Sequence, residues 1–289
     1  MLVSIFTYGQ RRIRYRYELV GGLGATSFLG DLGGADQIGT HLLRDFDLPI
    51  TRVVLQTGVR YRLTSAFAVR GNLIFGMLHG ADNATAETFR NQRDLKFRSP
   101  ILEFSGQFEY FFTKEQTGHR YKIKNVKGVK LKDIQGYLFA GFGGFAFNPK
   151  AKYKDGKWYA LQPLGTEGQG LIAGRSKYHR VSMCLLYGVG GKYGIDRYWS
   201  VGLEIGFRYT HTDYLDDVST NYATNTVGAA RGPIAQYFAD PTEGKGPYPF
   251  SVAEGVQRGD PTHKDAYGFL TATVNYRLAY SKRKTRSKF

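Results

Sequence analysis

The stretch WSVGLEIGFRYT, residues 199–210, alternates without a break. Trp199, Val201, Leu203, Ile205, Phe207 and Tyr209 fall on one parity. Ser200, Gly202, Glu204, Gly206, Arg208 and Thr210 fall on the other. A period of two marks a β-strand, because successive side chains point to opposite faces. One face is apolar from end to end. The other carries small residues and two charges of opposite sign. That pairing suits a narrow, filled interior with the apolar face turned outward to lipid.

The same pattern recurs along the chain. Strands are expected over 15–29, 49–63, 66–78, 98–112, 133–147, 180–194, 199–210 and 266–280. In the second, Val53, Leu55, Val59, Tyr61 and Leu63 oppose Arg52, Gln56, Arg60 and Arg62. In the fourth, Leu102, Phe104, Phe108, Tyr110 and Phe112 oppose Glu103, Ser105, Gln107 and Glu109. The fifth, DIQGYLFAGFGGFAF, is apolar on both parities and leaves its facing open. Each strand is long enough for the roughly 9–11 residues that a membrane strand needs, and bacterial barrels have even strand numbers from about 8 upward.

Composition agrees. The 289 residues include 37 Gly, 21 Tyr and 20 Phe, the usual material of β-barrels. The longest apolar run, YLFAGFGGFAF at 137–147, is about half of the ~20 residues a spanning helix requires. A membrane chain lacking such helices must close its sheet, since only closure satisfies every backbone group in lipid. The expected fold is therefore all-β: an eight-stranded antiparallel outer-membrane barrel, its lumen filled by side chains. A soluble lipocalin-like barrel would need the apolar faces inside, and the opposite faces carry too few, too balanced charges for a water-facing surface. The single cysteine, Cys184, excludes an internal disulfide framework or thiolate metal site and reads as a small buried or lipid-facing residue.

The connections alternate in length. Tight turns join strands two to three and six to seven. Long loops are expected at 30–48, 79–97, 148–179 and 211–265, on the outer side. The connection 113–132 is long but lies on the short-turn side. Residues 1–10, MLVSIFTYGQ, read as the remnant of a secretory signal, with one barrel domain over 11–280 and a basic tail over 281–289.

The net charge of +16 has an address. Arg11, Arg12, Arg14 and Arg16 lead into the first strand. Lys114, Arg120, Lys122, Lys124, Lys127, Lys130 and Lys132 face Glu115 alone in the 113–132 connection. Lys282, Arg283, Lys284, Arg286 and Lys288 fill the tail. These segments hold nearly the whole excess, and all three emerge on the periplasmic side of the expected topology. Nucleic acid fits an outer-membrane barrel poorly. Docking to an acidic periplasmic partner fits better, with Arg120, Lys122, Lys124, Lys127, Lys130, Lys132, Lys282, Arg283 and Lys284 as candidate contacts.

On the inward parity stand Glu18, Glu103, Glu109 and Glu204, with Arg52, Arg60, Arg70, Arg208 and Arg277. On the lipid face an Arg or Lys would cost about 2–4 kcal/mol at mid-depth. An eight-stranded barrel leaves room for side chains and no channel, so these nine residues are expected to form a structural lumen network and not a pore.

Other motifs point to no chemistry. GFGG (141–144) and GVGG (188–191) lack a following Lys-Ser/Thr pair and a helix, and suit close approach of strands. His41, His79, His179, His211 and His263 map to the long-loop side. With Asp213, Asp216 and Asp217 they match no metal-ligand spacing and are expected to be solvated. His211, Asp213 and Ser219 are raw material for a hydrolase, but nothing orders them as a triad. No catalytic residue, metal, cofactor, nucleic acid or small-molecule substrate is expected, and outer-membrane lipid is the expected surrounding.

Several segments together resemble a known family: SFLGDLGG (27–34), PITRVVLQTGVRYRLTSAFAVRGNLIFGML (49–78), NPKAKY (148–153), ALQPLGTEGQG (160–170) and KYGIDRYWSVGLEIGFRYTHTDYLDDVSTNY (192–222). In this order they are similar to the PorG outer-membrane barrels of the Bacteroidetes type IX secretion system. The resemblance covers most of 15–222 and the last strand. It implies a non-enzymatic secretion component that contacts the periplasmic ring of the PorK lipoprotein and PorN. An adhesin or receptor acting through the outer loops, and a small outer-membrane enzyme, are the alternatives.

Overall fold

The computed structural model describes residues 16–30, 32, 51–82, 93–113, 134–196, 198–242 and 254–278. Eight long strands build the wall: β1 (Tyr17–Leu29), β2 (Arg52–Arg62), β3 (Phe67–Ala81), β4 (Lys96–Phe111), β5 (Ile134–Phe147), β8 (Val181–Gly194), β9 (Trp199–Thr210) and β10 (Ala266–Arg277). Between β5 and β8 lie a short hairpin, β6 (Lys150–Lys152) and β7 (Trp158–Ala160), and one helical turn, α1 (Leu161–Leu164). Between β9 and β10 lie α2 (Thr224–Arg231) and α3 (Pro233–Ala239).

The wall runs β3-β2-β1-β10-β9-β8-β5-β4, and β4 pairs back onto β3. Every neighbouring pair is antiparallel. The sheet is therefore a closed barrel without an open edge, the only sheet that lipid tolerates.

Period two sets which face is which. On β4, Leu102, Phe104, Phe108 and Tyr110 are exposed on the outside, while Glu103, Ser105, Gln107 and Glu109 are buried within. On β9, Trp199, Val201, Leu203 and Tyr209 face out, and Ser200, Glu204, Arg208 and Thr210 face in. Phe104 is 71% exposed and Phe142 69%, while Glu103 and Glu109 are 0% exposed. A soluble protein would reverse this. An apolar exterior around a polar interior makes this an outer-membrane barrel.

The rim with the tight turns carries an aromatic girdle. Tyr17 packs on Tyr61 at 4.9 Å between ring centroids, Trp199 on Tyr276 at 4.7 Å, and Phe67 on Tyr110 at 5.4 Å. Amphipathic rings collect at the membrane–water boundary.

At the outer side β3 and β4 run longer than their periodicity predicts, while β2 starts at Arg52 and is shorter there. The β3–β4 ladder continues to Ala81 opposite Lys96, so the expected 79–97 loop begins as strand over 79–81 and ends as strand over 96–97. The expected loops 148–179 and 211–265 contain the β6–β7 hairpin and three helical segments. The expected loop 30–48, the signal remnant 1–10 and the tail 281–289 lie outside the described residues, except Gly30 and Leu32.

Candidate functional site

Register brings the lumen charges together. Glu18 on β1 lies directly opposite Arg60 on β2 and Arg277 on β10. Its carboxylate accepts from Arg60 Nη1 at 2.9 Å, Arg277 Nε at 3.2 Å and Lys192 Nζ at 2.8 and 3.0 Å. Arg62 Nε stands 3.3 Å away. Arg60 reaches on to Glu109, with Nε at 2.5 Å and Nη2 at 3.2 Å. Arg70 forks onto Glu204 at 2.5 and 2.7 Å, and its Nε lies 3.2 Å from Glu109. Tyr137 Oη donates to Glu204 as well. Three carboxylates thus bind five cations across the inner half of the lumen. Each charge is paired, which is what makes buried ions tolerable.

A second pair lies nearer the outer end. Arg208 Nε is 3.3 Å from Glu103 Oε2, and Tyr267 Oη donates to the same oxygen at 2.9 Å. Around it the lumen turns apolar. Val54, Ile74, Leu78, Phe97, Ile101, Phe145, Phe147 and Phe269 point inward and join one core with Leu161, Leu215, Val218 and Phe238 of the outer connections. The barrel interior is ionic below and hydrophobic above.

That upper core is roofed by an ordered cap. Glu167 is its hub: Oε1 accepts from Ser219 N at 2.9 Å and Arg258 Nη1 at 2.9 Å. Oε2 accepts from Thr220 N at 3.0 Å and Thr220 Oγ1 at 2.7 Å. Arg258 also donates to the Asp217 carbonyl at 2.6 Å. Arg93 binds Asp82 bidentately at 2.8 and 2.9 Å and donates to the Arg258 carbonyl at 2.6 Å, tying the β3–β4 hairpin to the cap. Arg231 of α2 donates to the carbonyls of Leu164 and Gln169 at 2.5 and 2.8 Å. Burial pushes the Arg93 guanidinium down, but its pairing with Asp82 outweighs this and leaves its pKa raised.

The predicted network is found with one correction and several additions. Glu18, Arg60, Arg70, Glu103, Glu109, Glu204, Arg208 and Arg277 are buried in the lumen. Arg52 has the inward parity, but it sits at the outer end of β2, is partly exposed and donates to the Thr51 carbonyl at 2.9 Å. Lys192, Arg62 and Tyr137 were not expected as members. Arg62 already shared Arg60's parity, and Lys192 falls with Ser182, Gly188 and Gly190 opposite the apolar row Val181, Met183, Leu185, Tyr187 and Val189, so both were findable.

The cap brings a further correction. Asp213, Asp216 and Asp217 are buried, not solvated. His211 is exposed at the end of β9, while Asp213 and Ser219 are buried under the cap. Cys184 is buried on the inward face. Among the described residues no group of three or more His, Cys, Asp or Glu is placed to hold a metal. The candidate contacts Arg120, Lys122, Lys124, Lys127, Lys130, Lys132, Lys282, Arg283 and Lys284 lie outside the described residues.

The chain is thus an eight-stranded barrel of the outer membrane, sealed by an ionic plug and an outer cap. No family model and no curated protein sequence matches it. Among solved structures it is similar to Neisserial surface protein A, at 9% identity and a TM-score of 0.39, covering 91% of this chain and 96% of that one. It is also similar to Ail, the attachment invasion locus protein of Yersinia pestis, at 9% identity and a TM-score of 0.39, covering 92% and 100%. The outer membrane protein OprG from Pseudomonas aeruginosa gives 9% identity and a TM-score of 0.42, covering 92% and 98%. These likenesses are too distant to carry any property of those proteins across.

Proposed function

We propose that the chain is a non-enzymatic component of the type IX protein secretion system, a PorG-like barrel that contacts the periplasmic ring of the PorK lipoprotein and PorN. The observation that carries the reading is the shared position of four strand ends. Arg16 pairs through its carbonyl with Arg62 N, and Leu278 N donates to Tyr17 O. Phe112 N donates to Gly136 O where β4 and β5 end. All of these lie at the tight-turn rim, which the topology of outer-membrane barrels makes periplasmic. The described residues that border the three basic segments, Arg16, Thr113, Ile134 and Leu278, therefore share one rim. Clustered charge of one sign sets encounter rate and register with an oppositely charged partner. A lumen closed by side chains also favours an anchor over a conduit for cargo.

The test is an affinity pull-down of the tagged protein from gently solubilised outer membranes. Recovery of both ring proteins is expected, with loss when Arg120, Lys122, Lys124, Lys127, Lys130 and Lys132 are all changed to Gln. A folded barrel that never recovers the ring proteins would move the function elsewhere.

The ordered cap favours a second reading, an adhesin or receptor acting outside the cell. The buried pairs of Glu167 with Arg258 and of Arg93 with Asp82 tie the connections to one another, and a fixed outer surface is what recognition uses. Replacing 212–264 by a short linker separates the two. Secretion should survive if the ring is the partner, and surface binding should vanish if the cap is.

A further inference from the structure

The outward column of β4 changes character along its length. Tyr110, Phe108, Phe104 and Leu102 are exposed and apolar, continued by Phe112 past the strand end. At about 3.3 Å per residue and a tilt of about 40°, the stretch from Phe112 to Leu102 rises about 25 Å, the height of the apolar band of such barrels. Beyond that band the same face presents Arg98 and Lys96, both exposed. β6 sets Lys150 directly opposite Arg98, and Lys152 follows two residues on. Among the described residues no carboxylate pairs with Arg98, Lys150 or Lys152, while Lys96 pairs with the exposed Asp94 at 2.8 Å.

Aromatic surface adjoins this charge. Trp158 of β7 lies opposite Lys152 and is 47% exposed, with the Arg98 guanidinium 5.7 Å over its ring. β4 and β6 pair at Arg98 and Lys150 alone. Next to that pair is a cavity of about 290 Å³. Its wall combines Trp158, Tyr237 and Phe238 with Lys96 and Lys152 and with the carboxylates Asp94 and Asp216, so it suits the neutral hydroxyls of a sugar and leaves the phosphates to the cations outside it. Aromatic walls with a few charged groups are the usual lining of a site for a small ligand.

We propose that this face binds the phosphorylated headgroup of an outer-leaflet glycolipid. Acyl chains lie along the apolar column of β4. Phosphate groups meet Arg98, Lys150 and Lys152 by charge-assisted bonds. The sugar enters the cavity beside Trp158. A lipid is the occupant, and not a soluble anion, because Arg98 and Lys96 continue the lipid-facing column of β4, one position past Pro100. Interfacial Trp and basic residues are where headgroups are met. The inference does not rest on the secretion role: it concerns the opposite rim, and failure to recover ring proteins leaves it standing.

The chain has two tryptophans, so Trp199→Phe leaves Trp158 as the reporter. The full-length protein in detergent is titrated with purified lipopolysaccharide, the same glycolipid after dephosphorylation, and inorganic phosphate. A saturable change in Trp158 emission is expected with lipopolysaccharide. Affinity should fall roughly tenfold or more on dephosphorylation, or in the pair Lys150→Glu and Lys152→Glu, as charge-assisted bonds are lost. Lys264→Glu, exposed elsewhere on the outer side, should leave affinity unchanged. Equal binding of the dephosphorylated glycolipid overturns the proposal. So does saturation by inorganic phosphate at the same concentration, or an equal loss with Lys264→Glu. If charge reversal blocks assembly, judged by heat-modifiable gel mobility, the pair Lys150→Gln and Lys152→Gln answers the same question.

Discussion

Tyr137 on β5 lies directly opposite Gly190 on β8, and a Cβ built on Gly190 would stand 2.4 Å from the Tyr137 ring. The ring cannot simply turn away, since its hydroxyl donates to Glu204 and its face lies 5.3 Å from the Arg60 guanidinium. Gly190→Ala should therefore destabilise the barrel by about 1–3 kcal/mol, the usual cost of overpacking. The temperature at which heat-modifiable gel mobility is lost should drop. In a Tyr137→Ala background the added penalty should shrink, because the two sites are coupled through contact. An equal penalty in both backgrounds would show that the ring is not the obstacle.

Arg60 is 0% exposed and bridges Glu18 and Glu109. Arg60→Met leaves two buried carboxylates short of a partner and should cost about 3–5 kcal/mol. Adding Glu109→Gln should recover part of that loss, since one orphaned charge is then gone. Arg52→Met, at the partly exposed end of β2, should cost less than about 1 kcal/mol. Urea midpoints of the refolded protein in detergent measure all three. A loss at Arg52 as large as that at Arg60 would contradict the partition of the lumen described above.

The inner half of the lumen is closed by paired side chains and the outer half by a hydrophobic core. In planar bilayers the protein should show no conductance steps on the nanosiemens scale. Regular steps of that size would mean that the plug opens under voltage.

Strand number, facing and the ionic lumen could be read from period two, because one parity of β2, β4 and β9 is charged and the other apolar. The outer half of the lumen could not. There Phe145 and Phe147 point inward on β5 while Leu138 and Phe142 point outward, so both parities are apolar and alternation carries no signal. Along β5 the neighbouring strands decide the facing, as nearer the inner end, where Gly188 and Gly190 of β8 make space for Phe139 and Tyr137. The cap was illegible for another reason. Its helices are short, and Asp213, Asp216 and Asp217 look solvated in sequence although all three are buried; Asp217 is held by Thr166, Tyr178 and Arg258, all distant along the chain.

Glu167 holds four donors from two segments far along the chain. Glu167→Ala leaves Arg258 buried without that carboxylate and frees the 219–220 backbone. The expected cost is about 3–5 kcal/mol, the range for breaking a buried charge pair. It should fall on the cap alone. Proteases added to intact cells should cut within 161–242 in the variant while the barrel keeps its heat-modifiable mobility. A barrel that fails to assemble at all would mean that the cap is needed for closure of the strands.

Asp217 gives the cap a pH dependence with a definite sign. Its backbone is left-handed, at φ 67°, a conformation that Asp tolerates better than most residues. Its carboxylate accepts from Thr166 Oγ1 at 2.5 Å and from Tyr178 Oη at 2.6 Å. Burial pushes the Asp217 carboxyl from 3.8 up to about 6, against the opposing pull of Arg258 and these two hydroxyls. The folded cap thus binds a proton more tightly than the unfolded segment does. This contribution is fully present below about pH 4 and is lost as pH rises through about 6, amounting to up to about 3 kcal/mol. Asp217→Asn keeps the acceptor for Tyr178 and removes the titration. Hydrogen exchange over 161–242, corrected for intrinsic rates, should show stronger protection at pH 4.5 than at pH 6.5 in the parent chain. The Asn variant should show the two values converging. The same difference surviving in the variant would place the proton on another group of the cap.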